Sequence, residues 1–402
     1  MKRIFSSSAI SLLAALVSYL ILVVISRNFE PLVVGKYLYL VSISIFFLLS
    51  IDLVAEQCST HFARKFNIHI EVLTYNLLLI RLFLAIVLMT VLILIETVFD
   101  WNKLSGLFYF LIPLLYISPV FEFHRKNHIY ATLLLFERAV FLSFLFLLVM
   151  HDLKDIPEYI FVSLMLSTFL SFLCQLILIR RFDIKRSYRF CGFVLLKTYV
   201  LLYLPVFLIG ILQATYGHFN RWVIESHFGL EEFAKASIGL SIVNLFFIIQ
   251  KQIDKHFRQE IFENHSRTHS NKKVVYNYLV FFTVPLIFVI ATTFVVGDIF
   301  ILYVFGENWI GVSEYLKILI FSIIPVSIIR LTDIFVITHG LGRKTLNINI
   351  SMFVLFLIIS FIYIDYFDAI TFCVAVLCIQ GLHALLQSAY VVMKVKKIDI
   401  KL

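Results

Sequence analysis

Long apolar runs, separated by short polar segments, make up most of this chain. Twelve of these runs are long enough to cross a hydrocarbon core, which is about 30 Å thick and requires about 20 helical residues. They cover residues 5–25, 37–57, 73–97, 106–122, 129–150, 157–178, 193–214, 233–250, 274–297, 312–337, 346–365 and 370–393. The pattern therefore predicts an all-α integral membrane protein with about twelve transmembrane helices.

The charges between the runs predict how this bundle is oriented. Lys and Arg near the ends of membrane spans are retained on the cytoplasmic side. If the amino terminus is cytoplasmic, the segments on its side of the membrane contain most of the 34 Lys and Arg residues. The opposite segments contain only Arg27, Lys36, Lys103, Lys154, Arg221 and Lys235. This alternation predicts that both termini are cytoplasmic.

Composition agrees with a membrane protein and excludes some functions. Apolar residues make up 61% of the 402 residues and charged residues only 15%, which is far from the balance of soluble domains. The net charge of +9 follows mostly from the loop asymmetry, and anionic lipid headgroups are the expected neighbours. The basic residues are scattered over separate segments, so the sequence does not predict nucleic-acid binding.

The sequence contains no motif that is typical of an active site. It has no Gly-rich phosphate loop, no nucleophile elbow and no paired Cys/His site. The five cysteines show no metal-ligand spacing and are interpreted as packing residues: Cys58, Cys174, Cys191, Cys373 and Cys378. The protein is therefore predicted not to be an enzyme and to have no catalytic residue, metal or cofactor.

Residues 220–242 repeat the pattern of a stretch near the amino terminus. A shift of 199 residues places Phe228 and Lys235 over Phe29 and Lys36. In both copies an apolar helix ends near an arginine, a polar turn follows, and a new helix begins. This similarity predicts a doubled architecture, in which two halves in the same orientation face one cavity.

A basic segment between the sixth and seventh apolar runs separates the predicted halves. It covers residues 179–190 and is interpreted either as a hinge or as an ordinary cytoplasmic loop. The predicted domains are a six-helix lobe at 1–190, which includes this linker, and a six-helix lobe at 191–402.

A second long segment on the predicted cytoplasmic side covers residues 250–273. Its first charged residues follow helical spacing: Lys251, Asp254, Lys255 and Arg258. This spacing predicts that the eighth helix continues past the membrane with one basic face. That face is expected to meet water or lipid phosphates.

Ionisable residues inside the predicted spans are the candidates for function, because a charge at mid-membrane is costly unless it is paired or hydrated. Three arginines share one depth in the predicted cytoplasmic half: Arg81, Arg138 and Arg330. Three carboxylates lie at or near that depth: Asp52, Glu137 and Asp333. Arg330 and Asp333 are three residues apart and therefore share one helix face.

Two interpretations of this charged layer remain open. The arginines line a water-filled cavity and bind an anionic, phosphate-bearing substrate, a task that suits their planar geometry. Alternatively, they form permanent ion pairs with the three carboxylates, and the two arrangements are compatible if substrate displaces the carboxylates. Nearer the outer face, a second cationic level is predicted, with one carboxylate close by: Arg27, Arg221, Lys235, Lys317 and Glu225.

Four motifs stand out along the chain: ISRNFEPLVVGKYLYLVSISIFFLLSID at 25–52, NRWVIESHFGLEEFAKASI at 220–238, FGENWIGVSEYLKIL at 305–319 and HGLGRKTLNINI at 339–350. They resemble motifs of the polysaccharide (O-antigen) flippases of the MATE-like superfamily. The sequence departs from the family at Asn220, where relatives often have an acidic residue, and at 53–55, where a glycine is common. Each motif is loose, but together they cover much of the chain.

The resemblance implies a two-lobed, MATE-like bundle of six plus six helices. Such a protein moves an undecaprenyl-diphosphate-linked oligosaccharide, an O-antigen or capsule repeat unit, across the bacterial inner membrane for lipopolysaccharide or other polysaccharide biosynthesis. It would work beside a polysaccharide polymerase and a chain-length regulator. Arg81, Arg138 and Arg330 would receive the diphosphate from inside, and Arg27 and Arg221 would attract it outward.

Two other functions are alternatives. A multidrug or cation antiporter of the same superfamily would favour acidic residues facing a cationic substrate, whereas this interior contains more basic side chains than acidic ones. A membrane glycosyl polymerase usually has a large outer loop, but the longest outer segment here, 216–232, is short. Ion coupling or gating is assigned to four carboxylates: Asp52, Glu137, Asp333 and Glu225.

Overall fold

The structure consists of long α-helices. The computed structural model describes residues 2–51, 55–99, 120–121, 126–151, 157–180, 192–266 and 272–399. Within these ranges we number the helices α1 (Lys2–Asn28), α2 (Pro31–Ile51), α3 (Ala55–Lys65), α4 (Ile70–Phe99), α5 (Asn127–Met150), α6 (Pro157–Arg180), α7 (Phe193–Ser266), α8 (Lys272–Phe305), α9 (Val312–Leu319), α10 (Ile323–Thr338), α11 (Gly342–Ile362) and α12 (Ala369–Asp399). The predicted all-α class is confirmed.

Seven stretches of the described helices are long and apolar enough to cross a membrane. They are Ala9–Asn28, His128–Met150, Val194–Gln213, Val275–Phe305, Val312–Thr338, Gly342–Ile362 and Ala369–Lys394. Large apolar side chains such as Phe288 and Val295 are exposed along them, as expected of helices that face lipid. The chain is a multi-pass membrane protein. The predicted span at 106–122 lies almost entirely outside the described residues, and the cytoplasmic location of the termini stays a prediction.

The helices divide into two compact units. Unit 1 comprises Met1–Phe29 and Lys36–Ile211, and unit 2 comprises Glu30–Gly35 and Leu212–Leu402. The division therefore falls within α7. Most of the predicted linker at 179–190 lies outside the described residues, so the six-plus-six division stays a prediction.

Unit 1 is built around closely packed helix pairs. Helix α1 packs on α5, α5 packs on α6, and α3 packs on α4. Small buried residues such as Ala14 and Ala131 let helix backbones approach closely, as is typical of membrane interfaces. Helix α3 also contacts the first part of α7, where His61 Nδ1 lies 2.6 Å from the Tyr203 hydroxyl.

Helix α7 is kinked where the pattern predicts a turn. The apolar runs at 193–214 and 233–250 were expected to be separate helices joined by a polar turn, and two helices do meet at a kink within α7. Only Gly229 interrupts it, with φ 88° and ψ 170°, a conformation that is essentially restricted to glycine. Gly35 packs beside this break: a Cβ at position 35 would lie 2.9 Å from Leu230 Cγ and 3.1 Å from Leu230 O.

Unit 2 is organised around the carboxy-terminal helix. Helices α9, α10 and α11 all pack on α12, and α8 packs on α9. The start of α12 is stabilised by Asp368, whose Oδ1 accepts a hydrogen bond from the Thr371 backbone N–H at 2.6 Å. Hydrogen bonds from Thr371 hold the pKa of Asp368 below its usual value. The polar interior described below lies among these helices.

The break in α7 provides a test of this fold. We expect Gly229→Ala to lower the free energy of unfolding by about 1–3 kcal/mol, because an L side chain is strained in this conformation. The measurement is thermal unfolding of the purified protein in detergent. Gly381→Ala is the matched control, since Gly381 is helical and a Cβ there meets no atom within 4 Å. An equal effect of both substitutions would contradict the assignment of Gly229 as an obligatory break.

Candidate functional site

A buried hydrogen-bond network in unit 2 is centred on the amide of Gln387. Its Nε2 donates to Thr332 Oγ1 at 2.8 Å and to Asp333 Oδ1 at 2.8 Å. Its Oε1 accepts from Asn349 Nδ2 at 3.4 Å and lies 3.1 Å from His383 Nε2. The network therefore joins α10, α11 and α12 through neutral groups that surround one carboxylate.

Helix α7 joins the same network through Gln213. Gln213 Nε2 donates to Asn349 Oδ1 at 3.4 Å, and the Gln213 side chain also hydrogen-bonds to Asp333. A buried carboxylate is costly without such donors. The sequence left open a permanent ion pair for Asp333, and the structure instead surrounds its carboxylate with amide donors.

Arg330 lies one turn before Asp333 on α10 but has different partners. Its Nη1 is 3.9 Å from Asp254 Oδ2 and 3.4 Å from the carbonyl oxygen of Phe247. The guanidinium carbon lies 4.9 Å from the centroid of the Phe247 ring, a cation–π distance. Arginine has five N–H donors, and most of those of Arg330 make no hydrogen bond within the part of the chain that the structure describes.

Asp254 is held by a second set of buried groups. The Tyr278 hydroxyl donates to Asp254 Oδ1 at 2.7 Å, and Gln250 Nε2 donates to the Tyr278 oxygen at 3.2 Å. Gln250, Asp254 and Tyr278 are all buried. We call the four residues Gln250, Asp254, Tyr278 and Arg330 the Asp254 cluster.

The Asp254 cluster corrects one expectation. The sequence predicted that α7 continues past the apolar run at 233–250 and that its charged face meets water or lipid phosphates. The helix does continue to Ser266, but Asp254 and Arg258 on that face are buried. A signal was present in the sequence, because Gln250, Asp254 and Arg258 recur every four residues and form one polar stripe.

The residues of the Gln387 network were also missed by sequence analysis, apart from Asp333. The signal that could have found them is an uncharged amide within an apolar helix, which in membrane proteins commonly forms interhelical hydrogen bonds. Gln213, Asn349 and Gln387 are all of this kind.

Arg221 is the other arginine of unit 2 that the sequence singled out. Its side chain is only 9% exposed, and its Nε has no hydrogen-bond partner in the described ranges. The Oδ1 of the preceding residue, Asn220, is likewise buried without a partner. This stretch of α7 therefore presents one donor and one acceptor that are buried without a partner among the described residues.

The predicted residues of unit 1 lie in a different environment. Arg81 and Glu137 are buried and Arg138 is half-buried. The Thr168 hydroxyl lies 3.3 Å from Glu137 Oε1 and donates to it across the interface of α5 and α6. Unit 1 thus holds three ionisable side chains of the predicted charged layer within its helices.

The two predicted lysines of unit 2 form ion pairs. Lys235 Nζ lies 2.9 Å from a carboxylate oxygen of Glu231 and 2.9 Å from one of Glu232. Lys317 Nζ lies 2.7 Å and 2.8 Å from the two oxygens of Asp298. These carboxylates balance the lysine charges, in contrast to the arrangement at Arg221.

Three further predicted residues complete the comparison. Arg27 is exposed at the end of α1, and Glu225 is half-buried in α7. Asp52 lies outside the described residues. The site roles predicted for all of these residues stay predictions.

The fold is similar to that of solved transporters. The chain matches an outward-facing multidrug resistance MATE family transporter of the MOP superfamily, with a TM-score of 0.74 and 12% identity over 98% of this chain and 96% of that chain. It also matches a mutant of the Vibrio cholerae MATE transporter VcmN, with a TM-score of 0.68 and 14% identity over 98% and 97% of the two chains.

A third solved structure is a MOP superfamily transporter from Pyrococcus furiosus, in which reverse polarity of the binding pocket has been taken to suggest a different function. It matches with a TM-score of 0.72 and 12% identity over 98% of this chain and 96% of that chain. No family model and no curated protein matches the sequence. The MATE-like fold implied by the sequence motifs is therefore confirmed, whereas membership of the polysaccharide flippases stays a prediction.

The Gln387 network can be tested by removing its central amide. We expect Gln387→Leu to lower the free energy of unfolding by about 1–3 kcal/mol, because it leaves buried polar groups of α10 and α11 without partners. Thermal unfolding in detergent measures the effect. Ser388→Ala is the control, since Ser388 is exposed on the same helix and bonds only locally, to Leu385 O. If both variants unfold at the temperature of the unaltered protein, the network does not stabilise unit 2.

Proposed function

We propose that the protein is a flippase that moves an undecaprenyl-diphosphate-linked oligosaccharide across the bacterial inner membrane by alternating access. The fold is that of MOP superfamily transporters, and the sequence motifs resemble those of the polysaccharide flippases. The oligosaccharide is an O-antigen or capsule repeat unit in this proposal. A polysaccharide polymerase and a chain-length regulator would then act on the translocated product.

The observation that carries this proposal is the unused hydrogen-bonding capacity of two arginines in unit 2. Arg221 is buried and Arg330 half-buried. Among the described residues, Arg330 Nη1 makes only a 3.4 Å hydrogen bond and a 3.9 Å ionic contact. A guanidinium group in a protein is always charged, so it requires an anion or water when it is buried. A diphosphate supplies charge and several acceptor oxygens, which arginine binds in a bidentate manner.

The remaining predicted residues have two roles in the proposal. The positive residues bind the diphosphate at successive levels of the pathway: Arg81, Arg138 and Arg330 from the cytoplasm, and Arg27, Arg221, Lys235 and Lys317 toward the outside. Four carboxylates form ion pairs with the basic side chains while no substrate is bound, or couple an ion to transport: Asp52, Glu137, Asp333 and Glu225. Lys235 and Lys317 would exchange their present carboxylate partners for the substrate.

A multidrug or cation antiporter is the second candidate, and specific observations favour it. Asp254 and Asp333 are carboxylates in the interior of unit 2, and carboxylates of this kind can bind a proton or a cationic substrate. The first two solved transporters described above are multidrug resistance or MATE transporters. The two candidates differ in the sign of charge that the substrate carries.

The spare arginines provide the test of the proposed function. We expect Arg330→Ala and Arg221→Ala each to slow translocation of a lipid-diphosphate oligosaccharide by about 10- to 100-fold, because a hydrogen bond to a charged group contributes about 1.5–3 kcal/mol. The measurement is the appearance of a labelled lipid-linked oligosaccharide in the outer leaflet of vesicles that contain the purified protein. Conversion to lysine is expected to reduce the rate less if charge alone matters.

Arg343→Ala is the matched control, since Arg343 is exposed at the start of α11. It should leave the rate unchanged. Unimpaired translocation by both arginine variants, at normal protein levels, would refute their assignment. If the vesicles exchange a cationic drug for protons or sodium ions but do not translocate the diphosphate lipid, the antiporter is the correct function.

A further inference from the structure

We infer that Asp254 is a built-in competitor for the guanidinium of Arg330, and that Tyr278 is a positioning residue that restrains this competitor. The inference rests on the proposed function, because its ligand is the diphosphate of a polyprenyl lipid. In this inference the Asp254 cluster sets the affinity of the protein for the diphosphate. Arg330 remains oriented but accessible while no substrate is bound.

The geometry of the carboxylate shows the restraint. Asp254 Oδ1 accepts a hydrogen bond from Tyr278 at 2.7 Å, while Asp254 Oδ2 lies 3.9 Å from Arg330 Nη1. A hydrogen-bonded Arg–carboxylate pair has N···O distances of about 2.7–2.9 Å. The carboxylate therefore attracts the guanidinium group without forming that hydrogen bond with it.

Tyr278 is fixed by groups on two helices. Its oxygen accepts a hydrogen bond from Gln250 at 3.2 Å, which favours the orientation in which its hydroxyl hydrogen points to Asp254. Its ring packs edge-on against Phe257 at 5.4 Å and stacks with Phe282 at 6.2 Å, measured between centroids. The hydroxyl group is therefore held at one position beside the carboxylate.

Arg330 is oriented by contacts that leave other donors available. Its guanidinium lies over the Phe247 ring at 4.9 Å, and Nη1 lies 3.4 Å from Phe247 O. These contacts restrict the plane of the group, and a planar group that is already oriented loses less entropy on binding.

Accessibility differs between the two charged partners. The Arg330 side chain is 35% exposed, whereas the Asp254 side chain is 6% exposed. A ligand therefore reaches the cation and not the carboxylate. Of the two charges in the cluster, the positive one is therefore the more exposed to an approaching ligand, as recognition of a diphosphate requires.

Substitutions of two residues that contact each other should change the affinity for a diphosphate lipid in opposite directions. Tyr278→Phe removes the hydroxyl donor, so that Asp254 turns to Arg330 and competes more strongly, and we expect the affinity for a diphosphate lipid to fall about tenfold. Asp254→Asn removes the competing charge and keeps the shape and an acceptor for Tyr278, and we expect the affinity to rise about three- to tenfold. The double variant should resemble Asp254→Asn, because the restraint has no effect without the competitor.

The experiment is equilibrium binding to the full chain in detergent micelles, with a fluorescent short-chain polyprenyl diphosphate as the probe. Inorganic pyrophosphate serves as a competitor in a second arm. Tyr276→Phe is the matched control, since Tyr276 is 66% exposed on the same helix. Opposite shifts for the two variants support the inference. If pyrophosphate competes, and the variants rank in the same order for pyrophosphate as for the lipid probe, the headgroup alone is recognised. If pyrophosphate does not compete, recognition includes the lipid.

Two outcomes separate the inference from the proposed function. If the unaltered protein binds the diphosphate lipid but both variants weaken binding, or neither changes it more than twofold, the residues are structural and the inference is overturned. If the unaltered protein binds no diphosphate lipid, the proposed function itself fails. If Tyr278 is merely structural, adding Asp254→Asn to Tyr278→Phe will not restore the lost binding.

Discussion

The cost of burying charge inside the protein governs the interior of unit 2. A buried charge must be matched by protein groups, water or a ligand. Two carboxylates of this interior are matched by protein groups: Asp333 by the amides of Gln387 and Gln213, and Asp254 by the hydroxyl of Tyr278. Arg221 and Arg330 are matched much less completely by the residues that the structure describes.

This asymmetry connects the fold to the proposed transport function. Carboxylates whose oxygens already accept hydrogen bonds are less available to a cation, whereas guanidinium groups with unused donors remain available to an anion. The helices also determine the asymmetry, because α12 presents Gln387 to α10, and α8 presents Tyr278 to α7. Under the proposed function, a polar network that satisfies the acids thus gives the interior a preference for negative charge.

Sequence analysis located the important helices more accurately than their polar partners. It placed Arg330 and Asp333 on one face of one helix, and the structure agrees, but the two side chains belong to different networks. It expected the face of α7 that carries Asp254 to meet water or lipid headgroups, but Asp254 and Arg258 on that face are buried. It also placed a polar turn between the apolar runs at 193–214 and 233–250, and α7 is kinked there at Gly229.

The sequence by itself determined the all-α membrane class and the approximate position of most described helices. These depend on the length of apolar runs relative to the bilayer, which is a local property of the chain. The motifs also indicated the MATE-like fold. Only the tertiary structure decided which polar groups are satisfied, because the partners come from helices far apart in sequence, as Asn349 and Gln387 do. Hydrogen bonds act over about 3 Å, and hydrophobic periodicity does not specify which side chains come that close.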